Sequence, residues 1–187
     1  MSRCLRSACA RDYDACIALF QRSVDQLTAE HYDAEQRRAW APPDPDRTLW
    51  HRRLATLQLC LLEDNGQLAG FIGYSLDGHI DLLYCAPESA RKGVASELYL
   101  AAEQHLRGAG VTRLWTEASL AALPFFQAQG FRLIARQTVQ RDGVSLLRCD
   151  RTGAHWLSSG ELAQGRAWHA KGTGKAGIGR LVIERAG

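Results

Sequence analysis

The 187-residue chain is long enough to bury one ordinary core, and its 46% hydrophobic and 23% charged residues are average for a soluble globular domain. A net charge of +3 without a Lys/Arg stripe excludes the basic excess of a nucleic-acid binder, yet it tolerates an anionic cofactor. No membrane-length apolar run and no leader at Met1-Ser2-Arg3-Cys4-Leu5-Arg6 occur; Cys4, Cys9, Cys16, Cys60, Cys85 and Cys149 form no CxxC pair, so reduced thiols in a cytoplasmic, metal-free protein are expected.

Cys4 to Ala10 alternates loosely and predicts a strand. Arg11 to Leu27 follows with Ile17, Phe20, Val24 and Leu27 at helical spacing behind Asp12. A second helix is predicted over Asp33 to Trp40, where Pro42, Pro43 and Pro45 forbid continuation. Asp46 then caps a helix through Trp50, Leu54 and Leu57. Strands are predicted at Leu59–Leu62, Leu68–Leu76 and His79–Cys85, joined by turns at Asn65-Gly66 and Asp77-Gly78. Gly93 to Gly110 reads as a helix with Val94, Leu98, Ala102 and Leu106 on one face. Arg113–Glu117 is a short strand, and Ser119–Gln129 a short helix with Pro124 in an early turn. Phe131–Gln140 and Val144–Cys149 are expected to pair around Asp142-Gly143.

The helix between His79–Cys85 and Arg113–Glu117 implies one parallel pair. The expected fold class is therefore α/β (α+β): a mixed, mostly antiparallel central sheet flanked by helices. Residues 1–150 are expected to form the domain. Residues 151–187 turn glycine-rich and read as a peripheral extension in which only Leu181-Val182-Ile183 looks like a strand. Gly172-Thr173-Gly174-Lys175 resembles a phosphate loop only superficially, because no clear strand precedes it.

The chemistry is concentrated in His79 to Ala95, where a strand feeds a small-residue loop that opens a long helix. Backbone N–H groups at such a joint form an anion nest, and Arg91 and Lys92 add positive charge there. Neither GxGxxG nor GxxxxGK[ST] is present, so a diphosphate would be held by a different kind of loop.

Pro87-Glu88-Ser89-Ala90-Arg91-Lys92-Gly93-Val94-Ala95 resembles motif A of the GCN5-related N-acetyltransferases, written Arg/Gln-x-x-Gly-x-Gly/Ala. Ala118-Ser119 through Pro124-Phe125-Phe126 to Gly130-Phe131 resembles their motif B, and the likeness spans roughly Arg3 to Asp150. Ser23-Val24 through Tyr32 to Trp40-Ala41-Pro42, with Gly78-His79-Ile80-Asp81, is similar to the YafP-like bacterial subgroup.

The resemblance implies an acetyl-CoA-dependent acyltransferase. Amides of Arg91, Lys92, Gly93, Val94, Ala95 and Ser96 would hold the pyrophosphate, and the backbone of Leu83, Tyr84 and Cys85 would pair with the pantetheine arm. The Cys85 amide would polarise the thioester carbonyl. Ser119, Phe125 and Phe126 would also contact the cofactor. Asp81 matches the spacing of a catalytic glutamate in histone-type relatives, and His79, two residues earlier on the same strand face, could share the role. Two departures stand out: Ala90 replaces the motif's Arg or Gln, and Phe126 replaces the tyrosine that protonates the departing thiolate. Tyr84, Ser119 or an unaided thiolate would have to cover that step. A nucleophilic Cys85 and an inert buried Cys85 both remain open.

The expected acceptor is the primary amine of a small molecule, shaped by Asp25 to Trp50, where acids mix with Tyr32, Trp40 and Trp50. A protein or peptide amine and a CoA-binding sensor without catalysis are the alternatives. A homodimer would accord with the family's habit.

Overall fold

The computed structural model describes residues 2–137, 139–141, 144–146 and 180–186. Strand β1 (Arg3–Ser7) is followed by helices α1 (Tyr13–Leu27), α2 (Ala34–Trp40) and α3 (Arg47–Ala55). The meander is β2 (Gln58–Asp64), β3 (Gln67–Tyr74) and β4 (His79–Cys85). Helix α4 (Val94–Gly108) crosses to β5 (Arg113–Ala118), and α5 (Leu123–Ala128) leads into β6 (Arg132–Gln137). A hairpin of β7 (Val139–Arg141) and β8 (Val144–Leu146) and a last strand, β9 (Arg180–Ala186), complete the described elements.

Local chemistry explains most of these boundaries. The Asp33 carboxylate accepts from Gln36 N at 2.8 Å while Gln36 Oε1 accepts from Asp33 N at 3.0 Å, a reciprocal cap that starts α2. Asp46 accepts from Leu49 N at 2.9 Å and starts α3 on the far side of the proline turn. Each such cap contributes about 1 kcal/mol. Asn65 and Gly66 both take positive φ, 52° and 79°, which is the turn that matches the twist of β2 and β3.

The sheet order is β1-β2-β3-β4-β5-β9-β6. All neighbours are antiparallel except β4 and β5, as the sequence leads one to expect. One face is covered by α4 and α5, whose Leu98, Tyr99, Leu106 and Phe126 are buried. The other is covered by α1 and α3, where Ile17, Phe20 and Leu54 pack on Leu61, Phe71 and Leu82. Full burial of one such side chain stabilises the fold by roughly 1.5–3 kcal/mol. Among the described residues, no helix is long and apolar enough to cross a membrane.

Two sequence expectations need correction. Arg180–Ala186 is not peripheral: β9 lies inside the sheet, paired with β5 on one side and β6 on the other. Ile183 is fully buried, and Arg185 Nη1 donates to the Tyr99 hydroxyl at 3.0 Å and to Glu103. A three-residue apolar run is a weak local signal, but a slot between two strand edges satisfies its backbone on both sides. Within the expected strand Phe131–Gln140, Arg132–Gln137 pairs with β9, and Val139–Arg141 pairs with Val144–Leu146 as the expected hairpin requires; Asp142, Gly143 and residues 147–149 lie outside the described residues. Helix α5 begins at Leu123 rather than Ser119, because the Ser119 hydroxyl accepts from Ala122 N at 3.1 Å and holds a turn there. Residues 147–150, the glycine-rich stretch and its Gly172–Lys175 segment lie outside the described residues.

Gly78 joins this topology to the site. Its φ is +92°, and its carbonyl accepts from Trp115 N at 3.0 Å, which sets β4 beside β5. A Cβ there would stand 2.1 Å from the Arg113 carbonyl oxygen, whereas one at Gly110 (φ +82°) would meet nothing within 4 Å. Gly78→Ala should therefore destabilise by more than about 2 kcal/mol and Gly110→Ala by only about 1 kcal/mol, read by urea unfolding. Equal losses would mean that the contact with Arg113 is not what constrains the turn.

Candidate active site

The parallel ladder between β4 and β5 is two residues long, pairing His79 with Trp115 and Ile80 with Thr116. The Thr116 hydroxyl donates to the Ile80 carbonyl at 2.7 Å, and past that bond the strands part. A bulge helps to open them: on β3, Tyr74 faces Ile80 and Gly73 faces Leu82, so Asp81 is the extra residue. The bulge also re-aims the strand, since Ile80 packs with the α4 layer and Leu82 with the α1 layer.

Register decides where the backbone of β4 points. Ala86 N donates to Ala69 O at 2.8 Å, so the pair Gly70–Cys85 and the pair Ile72–Leu83 are the outward-facing kind. The amides and carbonyls of Leu83 and Cys85 consequently turn away from β3 and into the gap left by β5. A cavity of about 580 Å³ occupies that gap, within the usual ~300–1,000 Å³ of small-molecule sites.

One end of the cavity is the loop before α4. Arg91 takes φ 60° and Gly93 φ 84°, and these left-handed residues interrupt the chain just where α4 begins. Glu97 N bonds Gly93 O at 3.0 Å, so the amides of Val94, Ala95 and Ser96 are the orphan donors of the first turn and line the cavity. Arg3, on the far edge strand, braces this loop: its Nη2 donates to Lys92 O at 2.9 Å and its Nη1 to Glu97. Nothing local marks Arg3 for that task, since Lys92 lies 89 residues away in sequence.

The other end holds two carboxylate-bearing residues. Asp81 is gripped by Arg53 of α3, which donates from Nε and Nη2 to its two oxygens at 2.9 and 2.7 Å. The Asp81 side chain is 13% exposed. Glu117 lines the cavity from β5, on the strand face opposite Leu114 and Ala118. The strand's alternation could have singled it out. Arg53 could not have been found so, because it meets Asp81 only through tertiary packing.

Of the residues expected from the sequence, Asp81, Leu83, Tyr84, Cys85, Arg91, Gly93, Val94, Ala95, Ser96, Ser119, Phe125 and Phe126 all line this cavity. His79 and Lys92 do not belong to its lining. The His79 ring stacks on Trp115, centroids 3.8 Å apart at 12°. Lys92 contributes the carbonyl that Arg3 holds. Phe126 is 2% exposed and packs edge-on against Phe131 at 5.1 Å, so the position is both core and cavity wall. Burial pushes the Cys85 thiol up to about 11, leaving it neutral near pH 7. Behind Trp40 of the wall, the Tyr32 hydroxyl accepts from Leu120 N at 3.0 Å and the Tyr32 ring packs on Trp40.

Comparison with known proteins agrees with this geometry. The sequence model described as Acetyltransferase (GNAT) domain matches residues 28–150. The N-acetyltransferase YafP of Escherichia coli K12 is 34% identical over 133 residues, covering 71% of this chain and 83% of that protein. A GCN5-related N-acetyltransferase from Rhodopseudomonas palustris superposes with a TM-score of 0.78 at 24% identity, covering 100% of this chain and 96% of that one. PaiA N-acetyltransferase of Thermoplasma acidophilum, solved with coenzyme A, reaches 0.65 at 16% identity over 100% and 99%. With its sequence matching over residues 28–150 and its fold matching as well, the chain belongs to the GNAT acetyltransferases and is an acetyl-CoA-dependent N-acetyltransferase.

Proposed function

We propose that the chain transfers acetyl from acetyl-CoA to the primary amine of a small molecule, by direct attack within a ternary complex. The observation that carries this reading is the parting of β4 from β5. It aims the Leu83 and Cys85 amides into a cavity that has an anion nest at one end and Asp81 at the other.

In this mechanism the amides of Val94 to Ser96, with Arg91, hold the pyrophosphate at the helix N-terminus, where the dipole favours anions. The missing side chain at Ala90 matters little to a site made of backbone donors. The outward amides and carbonyls of Leu83 and Cys85 would hold the pantetheine arm as they would an added strand. The Cys85 N–H meets the thioester oxygen as the amine attacks and negative charge develops there. Asp81 accepts the ammonium proton, directly or through one water, while Arg53 keeps its carboxylate oriented. Phe126 has no proton to give, so Ser119 or Tyr84, two of the hydroxyl-bearing residues of the wall, would serve the departing thiolate. A thiol that is neutral at pH 7 is a poor nucleophile, which favours direct attack over an acetyl-cysteine intermediate. Phe126 also motivates a second reading, a CoA-binding sensor without turnover.

Three measurements test this. Acetyl-CoA should bind with Kd near or below ~100 µM by calorimetry, and Gly93→Val should weaken it about tenfold. The nearest atoms to a Cβ at Gly93 are 4.0 Å away, so that loss reports the left-handed backbone rather than crowding. Asp81→Asn should lower kcat by about 100-fold while leaving the acetyl-CoA Kd unchanged; wild-type protein that binds acetyl-CoA but turns over no amine would favour the sensor. Cys85→Ala should keep turnover within about threefold, and alkylation of Cys85 should stay slow at pH 7 and accelerate only as pH rises toward 11. Recovery of S-acetylated Cys85 from a stalled reaction would overturn direct attack.

A further inference from the structure

A second chamber of about 220 Å³ opens beside the cofactor cavity, under the turn that joins α2 to α3. Trp40 and Tyr84 line both spaces, so they form the partition between them. Phe20 is the hub of its wall, 4.7 Å from Trp50 at 46° and 4.9 Å from Tyr84 at 81°. Pro42, Pro45 and the 63%-exposed Leu49 form the rim.

The guanidinium at this chamber is already paired. Arg53 gives Nε and Nη2 to Asp81, and its guanidinium carbon lies 5.4 Å from the centre of the Trp50 ring. The Asp46 carboxylate accepts from Leu49 N as the cap of α3. A second cation at Trp50 would meet the guanidinium already stacked there. A polar body would lose its water against four aromatic rings with little in return. An uncharged ring or hydrocarbon chain meets neither cost and gains ring-to-ring contacts.

We infer that this chamber is the acceptor subsite and that it selects amines carrying a flat aromatic or apolar body. The inference rests on the acetyltransferase reading and names its substrate class. Size supports it: the chamber is smaller than the ~300–1,000 Å³ of a whole-ligand pocket, so it holds one ring or a short chain. Connectivity supports it too. Tyr84 walls the chamber, and Cys85, whose amide faces the thioester, is the next residue, about 3.8 Å further along the strand. Arg53 lines the chamber while its partner Asp81 lines the cofactor cavity, so the route from ring to reacting nitrogen passes the carboxylate. Trp40, Trp50 and Phe20 are thereby specificity-determining residues.

The test uses the full chain with acetyl-CoA and three primary amines: 2-phenylethylamine, hexylamine and 1,6-diaminohexane. The kcat/KM for 2-phenylethylamine should exceed that for 1,6-diaminohexane by at least about tenfold, with hexylamine nearer the former. Trp50→Ala should raise the KM for 2-phenylethylamine about tenfold and leave the acetyl-CoA Kd unaltered. In case Trp50→Ala fails to fold, the indole N–H resonances of Trp40 and Trp50 in wild-type protein should shift on titration with 2-phenylethylamine. Equal or better use of the diamine, or indole resonances that do not move, would overturn the inference while leaving the acetyltransferase reading intact. Turnover of no amine would overturn that reading, and the indole shifts alone would then decide whether the chamber takes a ring.

Discussion

The β4–β5 ladder is two residues long, with the Thr116 hydroxyl bonded to the Ile80 carbonyl at its end, and the cavity opens where that ladder stops. A strand edge inside a sheet presents donors and acceptors that would be costly to leave unpaired away from water. Here the edge is exposed on purpose-built terms: the Asp81 bulge bends β4 outward, the register turns Leu83 and Cys85 toward the gap, and α4 begins at its mouth. In the mechanism proposed above, an extended arm with its own amide groups would answer that edge as another strand does.

Strain and bracing meet in the loop before α4. A non-glycine residue in left-handed backbone, as Arg91 is, costs roughly 1 kcal/mol or more, and such conformations persist where the surroundings over-determine them. Arg3 supplies part of that determination from the opposite edge of the sheet, holding the Lys92 carbonyl and the Glu97 side chain together. The amides of the first helical turn are thus oriented before any anion arrives, and little reorganisation is left for binding.

Around the reacting centre the apolar substitutions and the polar network divide the work. Phe126 belongs to an aromatic cluster with Tyr99, Phe125 and Phe131, which stiffens the wall behind the cavity but contributes no proton. Burial keeps the Cys85 thiol neutral, while its backbone faces the gap beside β4. The Arg53–Asp81 pair joins α3 to β4, with Arg53 in the wall of the smaller chamber and Asp81 in the wall of the larger cavity, so one ion pair links the two spaces.

Most elements were readable from residue order alone, because their signals are local. Asn65-Gly66 requires positive φ, Asp33 and Asp46 cap the helices that follow them, and the spacing of Val94, Leu98, Ala102 and Leu106 makes a buried helical face. The joint from Arg91 to Ser96 was legible for the same reason, since a left-handed turn and a helix start are set by consecutive residues. The place of β9 was not legible: Leu181-Val182-Ile183 is too short a run to declare a central strand, and only the open edges of β5 and β6 give it one. Nor were the Arg3 brace, the Arg53 grip on Asp81 or the common wall of Trp40 and Tyr84, which join residues far apart in the chain. Sequence by itself determined most elements, the joint that opens α4 and the family, because periodicity, capping and turn chemistry act over a few residues. Tertiary structure alone decided that Arg53 grips Asp81, that His79 stacks on Trp115, and which side chains share the cavity wall, because those outcomes depend on how distant surfaces are brought into contact.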